Sequence, residues 1–84
     1  GYIAATPTLY NLALSHATGA QVFVKYENLQ YTGSFKARGA IAKLTTLTEA
    51  QKKAGVIAMS AGNHAQGVAF HTGRLGIPAT IVMP

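Results

Sequence analysis

No cysteine and no aspartate occur among the 84 residues, and only two glutamates, Glu27 and Glu49, carry negative charge. Without cysteine there can be no disulfide framework, which fits a reducing compartment such as the cytoplasm. Without aspartate there is no Ser-His-Asp triad. His16, His64 and His71 lack ligand spacing and carboxylates are scarce, so no metal site is expected. Long apolar runs are missing too. The longest uncharged stretch, from Val56 up to Arg74, is broken by Ser60, Asn63, His64, Gln66 and several glycines, so no membrane span is expected. The N-terminus has no basic region of the kind that opens a signal peptide.

Against the two acids stand seven lysines and arginines, for a formal charge of +5. Such an excess suits an anionic partner: a phosphate, a carboxylate or a nucleic acid. An equally simple reading is that the acidic part of a longer protein lies elsewhere. The cations are scattered, only Lys52 and Lys53 are adjacent, and no aromatic residues interleave with a basic stripe, so nucleic-acid binding is not expected. A chain of this size buries only about 60–65% of its unfolded surface. It begins at Gly1 and stops at Pro84, directly after the apolar run Ala79–Met83, so a piece of a longer protein is expected.

The order of elements follows from punctuation and periodicity. Thr6-Pro7-Thr8 reads as an extended lead-in, since proline disfavours helix at the residue before it. Tyr10–Ala17 is a short helix or turn of poor pattern. Gln21–Glu27, rich in β-branched and aromatic residues, predicts a strand, and 28–33 a loop. Ser34 suits the N-cap of a helix from Phe35 to about Leu47, with Phe35, Ala37, Ala40, Ile41 and Leu44 on its apolar face. Thr48-Glu49-Ala50-Gln51 is a capping box opening a second short helix, and Gly55 suits a left-handed residue closing it. Val56–Met59 reads as a buried strand, Asn63–Leu75 as a helix stopped by Gly76 and Pro78, and Ala79–Met83 as another buried strand. Residues 56–83 therefore form a βαβ unit with parallel strands and a right-handed crossover, in an α/β fold. Ligands in such sheets sit at the carboxyl ends of the strands, where Ser60–Asn63 falls.

Two clusters could carry chemistry. In Thr32-Gly33-Ser34-Phe35-Lys36-Ala37-Arg38-Gly39-Ala40, Lys36 occupies the second position of a helix. A cation there opposes the helix dipole, and the same field favours the neutral amine, which attacks carbonyls. From position alone, an ordinary solvated lysine fits as well, and Phe35 reads as core. In Ser60-Ala61-Gly62-Asn63-His64-Ala65-Gln66-Gly67, small residues bring backbone N–H groups close to any anion at the helix start. Asn63 and neutral His64 offer a donor and an acceptor each. An ordinary capped turn fits this loop as well. No nucleotide-binding glycine motif is present.

Taken together, the two clusters resemble the pyridoxal-phosphate enzymes of the tryptophan synthase β-like fold (fold type II). Within that family they are most similar to the threonine dehydratases, or threonine ammonia-lyases. Thr6-Pro7-Thr8-Leu9, Thr18-Gly19-Ala20, Lys25-Tyr26-Glu27-Asn28-Leu29-Gln30 and Leu75-Gly76-Ile77-Pro78-Ala79 extend the likeness over nearly the whole chain. The resemblance implies that residues 1–84 are the N-terminal part of a catalytic domain. It implies that Lys36 forms a covalent aldimine with pyridoxal 5'-phosphate and later serves as the base at the substrate Cα. Phe35 would lie against the cofactor ring, and Asn63 would hydrogen-bond its 3′-oxygen. Ser60, Ala61, Gly62 and His64 would bracket the carboxylate of a small amino-acid substrate. The family's glycine-rich phosphate loop and the partner of the pyridine nitrogen lie downstream of the region matched. The full-length protein is expected to be a homo-oligomer with no nucleic-acid or membrane partner, cytoplasmic by default, with a mitochondrion or plastid left open.

Ala61 bears on the reaction. Serine racemases of the family carry a serine there as the acid-base group on the opposite face. An alanine methyl donates no proton, which favours deaminating dehydration of L-threonine and L-serine to a 2-oxo acid and ammonia. The alternatives within the family are a racemase or a hydroxyaspartate dehydratase. The alternative from another class is an inactive piece or a basic anion-binding module.

Overall fold

The computed structural model describes residues 1–84 throughout. Its first half is a small antiparallel pair. Strand β1 (Thr8–Tyr10) pairs with β2 (Phe23–Lys25) in the register Thr8↔Lys25, Leu9↔Val24 and Tyr10↔Phe23. Helix α1 (Leu12–Thr18) connects them. Asn11 caps it by accepting the Leu14 amide at 2.8 Å, and left-handed Gly19 closes it. The Ser15 hydroxyl then accepts the Val22 amide at 2.8 Å and turns the chain into β2. Because Pro7 has no N–H, only its carbonyl enters this pairing, accepting the Tyr26 amide at 3.0 Å.

The second half carries the α/β unit. A single 3₁₀ turn (Glu27–Leu29) leads to α2 (Lys36–Leu44) and α3 (Glu49–Ala54), then β3 (Val56–Met59), α4 (Asn63–Leu75) and β4 (Ala79–Val82). Strands β3 and β4 are parallel, from Val56↔Ala79 to Met59↔Val82, and α4 crosses between them. This is the βαβ unit expected from the sequence. The capping box of α3 is complete: Thr48 accepts the Gln51 amide while the Gln51 side chain accepts the Thr48 amide. Gly76 is left-handed and ends α4. Gly55 has the positive φ expected of it, but its ψ of 177° is extended rather than helical. A Cβ there would lie 2.8 Å from the Pro78 carbonyl oxygen, the same oxygen that accepts the Val56 amide and starts the parallel ladder.

The core is the seam between α2 and α4. Ala37, Ala40 and Leu44 face Ala65, Gly67, Val68, His71 and Thr72. Small residues dominate this seam, so the helix backbones approach closely and dispersion contacts between them replace large apolar side chains. The N-terminal segment is tied across α4 by Arg74, which donates to the carbonyls of Tyr2 (3.3 Å) and Gly1 (3.1 Å). The same guanidinium lies 5.3 Å from the ring centres of Tyr2 and Phe70 and 5.8 Å from that of Tyr31.

Several expectations change. Helix α2 begins at Lys36 and stops at Leu44, shorter than 35–47 at both ends. Phe35, placed on its apolar face by periodicity, is 62% exposed because the helix starts after it. The β2 strand is shorter than 21–27, and β1, read only as extended chain, is paired. Strand β3, expected to be buried, exposes Ile57 and Met59 at 73% and 77%: one face packs on α4 and the other is open. No helix is long and apolar enough to cross a membrane.

The chain has a radius of gyration of 16.2 Å, against about 12 Å for a compact domain of this length. Apart from three alanines, only Leu44, Val68 and Ile77 are buried apolar side chains. Residues 1–84 in isolation should therefore show no cooperative unfolding. Differential scanning calorimetry at micromolar concentration checks this, and a sharp transition in a species of monomeric mass by light scattering would show the opposite.

Candidate functional site

The first turn of α2 and the first two turns of α4 lie side by side. The contact that brings them together is at Gly67, where a Cβ would come within 3.1 Å of the Lys36 carbonyl oxygen and 3.4 Å of the Ala37 nitrogen. Gly67 sits four residues after Asn63, one turn along the same face of α4. The start of α2 is thereby held against the end of the helix where the Ser60–Asn63 loop enters.

Lys36 is the first helical residue, not the second, and Phe35 takes the N-cap position in helical geometry. Ser34 does not cap in the usual way. Its hydroxyl accepts the Lys36 amide at 3.3 Å, forming a tight local turn just before the helix. The Lys36 side chain is exposed and joins neither of the ion pairs, which are Arg38–Glu27 and Lys52–Glu49. Its Nζ lies 5.9 Å from the centre of the Phe35 ring, so a free amine and an open aromatic ring share one surface.

The loop after β3 is built around Ser60. Its amide donates to Val82 as the last rung of the parallel ladder. Its hydroxyl accepts the amides of Gly62 (3.2 Å) and Ala65 (3.3 Å), leaving the hydroxyl proton to donate. Gly62 is the N-cap and provides no side chain. The amides of Ala61, Asn63 and His64 donate to no protein group, and the side chains of Asn63 and His64 are exposed. Three unpaired N–H groups at the positive end of a 13-residue helix are a cradle for an anion. Ala61 places a methyl beside them and no titratable group.

Four residues outside the predicted set shape this arrangement. Gly67 is one; an isolated glycine inside a helical pattern is the signal that marks a close packing contact. Glu27 and Arg38 are two more: Arg38 donates Nε (3.0 Å) and Nη2 (2.8 Å) to Glu27 Oε1. Hydrogen bonds from Arg38, and then from Gln30, pull the Glu27 carboxyl down to about 2, and the same pair raises Arg38. A depressed carboxyl stabilises the fold fully above its ordinary range and loses that contribution as pH falls toward the folded value. This pair is accordingly intact from about pH 4.5 upward and weakens only between there and about 2. His71 is the fourth. It is wholly buried in the α2–α4 seam and neither ring nitrogen has a hydrogen-bond partner. Burial, with the nearby Arg74 charge, holds its pKa below the ordinary histidine range. His64 and His71, two turns apart in the sequence, thus lie in opposite surroundings. No three side chains of metal-ligating type converge.

Comparison with known proteins gives a consistent picture. A family model described as pyridoxal-phosphate dependent enzyme matches residues 1–84. An L-threo-3-hydroxyaspartate ammonia-lyase of Pseudomonas sp. is 57% identical over 84 residues, which is 100% of this chain and 26% of that protein. An L-threonine ammonia-lyase of Thermotoga maritima is 57% identical over 79 residues, 94% of this chain and 20% of the relative. Among solved structures, maize serine racemase superposes with a TM-score of 0.88 at 38% identity, covering 99% of this chain and 26% of that one. The chain thus spans about a quarter of the length of the proteins it matches.

The helix contact generates a direct expectation. In the full-length protein, Gly67→Ala places a methyl against backbone that cannot rotate away, and overpacking of this kind costs about 1–3 kcal/mol. Urea denaturation should show that loss, whereas Gly73→Ala, where a Cβ meets nothing within 4 Å, should be neutral or stabilising.

Proposed function

The chain belongs to the pyridoxal-phosphate-dependent enzyme family, and from that premise we propose that Lys36 is the residue that holds the cofactor and moves the substrate proton. The fold is the α/β, tryptophan synthase β-like fold expected from the sequence, and the cofactor of the family is pyridoxal phosphate. One observation carries the assignment of Lys36: its amine is exposed and unpaired beside an open aromatic ring, at the start of a helix whose backbone packs on Gly67, one turn from the unpaired amides that open α4. The residues fit the group. An aldehyde needs a free amine, a flat ring needs an exposed aromatic or apolar face such as Phe35, and a ring oxygen needs a donor such as the unengaged Asn63 amide. Residues 1–84 are then part of a catalytic domain whose other residues complete the site.

The cofactor, when bound, supplies an electron sink conjugated to the substrate Cα. The protein residues do the rest. The amides of Ala61, Asn63 and His64, with the Ser60 hydroxyl, hold the substrate carboxylate and fix the orientation of the amino acid. Lys36 takes the Cα proton from the side on which it lies. Ala61 offers only a methyl, so it returns no proton to Cα; the β-hydroxyl instead leaves as water, taking up the equivalent of the proton lost from Cα, and hydrolysis of the resulting enamine gives the 2-oxo acid and ammonia. The reaction is the deaminating dehydration of a small β-hydroxy amino acid. L-threonine and L-serine are the proposed substrates. The high identity to a hydroxyaspartate ammonia-lyase favours a second reading, in which the β-hydroxy acid also bears a side-chain carboxylate. Both are eliminations, and both leave a racemase of the same fold as the rival. The full-length enzyme is proposed to act as a cytoplasmic homo-oligomer.

Lys36→Ala in the full-length protein should abolish the visible cofactor band, covalent attachment on borohydride reduction, and turnover. Attachment to a different lysine, located by peptide mapping, would refute the assignment.

Elimination should also outrun racemisation. Chiral chromatography of L-serine incubated with the complete enzyme should show pyruvate accumulating ahead of D-serine. The reverse order would make the protein a racemase.

A further inference from the structure

The Glu27 carboxylate is gripped by side chains from three parts of the chain. Oε1 accepts Arg38 twice, from α2, and Thr6 Oγ1 at 2.9 Å, from the N-terminal segment. Oε2 accepts Gln30 Nε2 at 3.1 Å. Gln30 is itself buried, and its amide clasps the Ala4 backbone, accepting from N at 2.6 Å and donating to O at 3.1 Å. The other acid, Glu49, pairs with Lys52 on α3, so no second carboxylate competes for Arg38. The Glu27 side chain is only 16% exposed. A carboxylate so fully engaged is not solvating the surface; it joins the N-terminal segment, the 3₁₀ turn and α2.

The position of Arg38 gives this junction a purpose. Residues two apart in a helix lie about 200° apart around its axis, so Arg38 and Lys36 leave α2 on nearly opposite sides, with buried Ala37 between them. Gly67 sets how close the first turn of α2 comes to α4. The packing of Ala37, Ala40 and Leu44 against α4 holds the inner face of α2. On the outer side, two hydrogen bonds from Arg38 to one carboxylate oxygen add a second anchor at the first turn. We infer that Glu27 is a positioning residue: by holding Arg38 on the outer side of α2 it fixes the rotation of the first turn, and so the direction in which the Lys36 amine points. This rests on the reading of Lys36 as the cofactor-holding residue, and it concerns a residue that touches neither cofactor nor substrate.

The test uses the full-length protein loaded with pyridoxal phosphate. Glu27→Gln keeps the size and an accepting oxygen but removes the charge. Arg38→Lys keeps the charge but removes the fork. Each should lower kcat by about 10–100-fold, the scale of a misplacement of about 1 Å, while KM stays within about twofold. Each should also move the pH midpoint of the cofactor's visible absorption band, and the swapped pair Glu27→Arg with Arg38→Glu should recover part of both losses. If Glu27→Gln does not fold, Arg38→Lys and the swapped pair are read in the same way. A lowered thermal midpoint with an unmoved band and unchanged kcat would overturn the inference and leave the pair a purely structural one. Failure of the underlying reading looks different: the wild-type protein would then carry its cofactor on a lysine other than Lys36.

Discussion

One close approach organises the molecule: the backbone of Lys36 and Ala37 against Gly67. Two helices can come that near only where neither presents a side chain. The seam meets this with Ala37 and Ala40 on α2 and with Ala65 and Gly67 on α4. The reactive end of the fold follows. Gly67 is one turn from Asn63, so fixing α2 on Gly67 also fixes the Lys36 backbone one turn from the loop that ends β3. The loop in turn is held by the parallel ladder, whose last rung is the Ser60 amide on Val82. Strand, loop, helix and neighbouring helix form a continuous chain of contacts from the sheet to the Lys36 backbone.

The scarcity of acids matters as much. With seven cations and two carboxylates, most cations have no partner, and an unpaired amine needs no special explanation. The informative fact is which cations are paired. Arg38, two residues from Lys36, takes the one well-connected carboxylate, which also accepts from Thr6 and Gln30. Lys36 joins no ion pair within the same turn. The shortage of aspartate and glutamate is thus compatible with a site built from an amine and backbone amides, and it leaves no material for one built from paired carboxylates.

The sequence was most readable where local chemistry decides the outcome. The bounds of α4, the capping box at Thr48–Gln51, the stop at Gly76 and the parallel pairing of β3 with β4 all follow from short-range rules. What it hid depends on distant partners. The pairing of β1 with β2 joins segments of three residues each, too short to show an alternating pattern. The exposure of Phe35 turns on a one-residue shift in where α2 begins, beyond the resolution of periodicity. The open face of β3 reads as buried because a continuous apolar run looks the same whether one or both faces are covered. At the site, residue types in the two clusters were legible. The Glu27–Arg38 pair and the burial of His71 were not, because each depends on a partner many residues away that no local pattern names.

The two halves of the proposed site differ in kind, and the difference bears on selectivity. In the proposal, anion binding comes from backbone amides and a helix end, which accept any amino-acid carboxylate. Reaction direction is there assigned to side chains: an amine at position 36 and a methyl at position 61. A methyl donates no proton. Binding is thereby general while proton traffic is confined to one face. An enzyme so arranged distinguishes its substrates at the β-carbon, where a leaving hydroxyl must be present, rather than at the carboxylate, where every amino acid is alike.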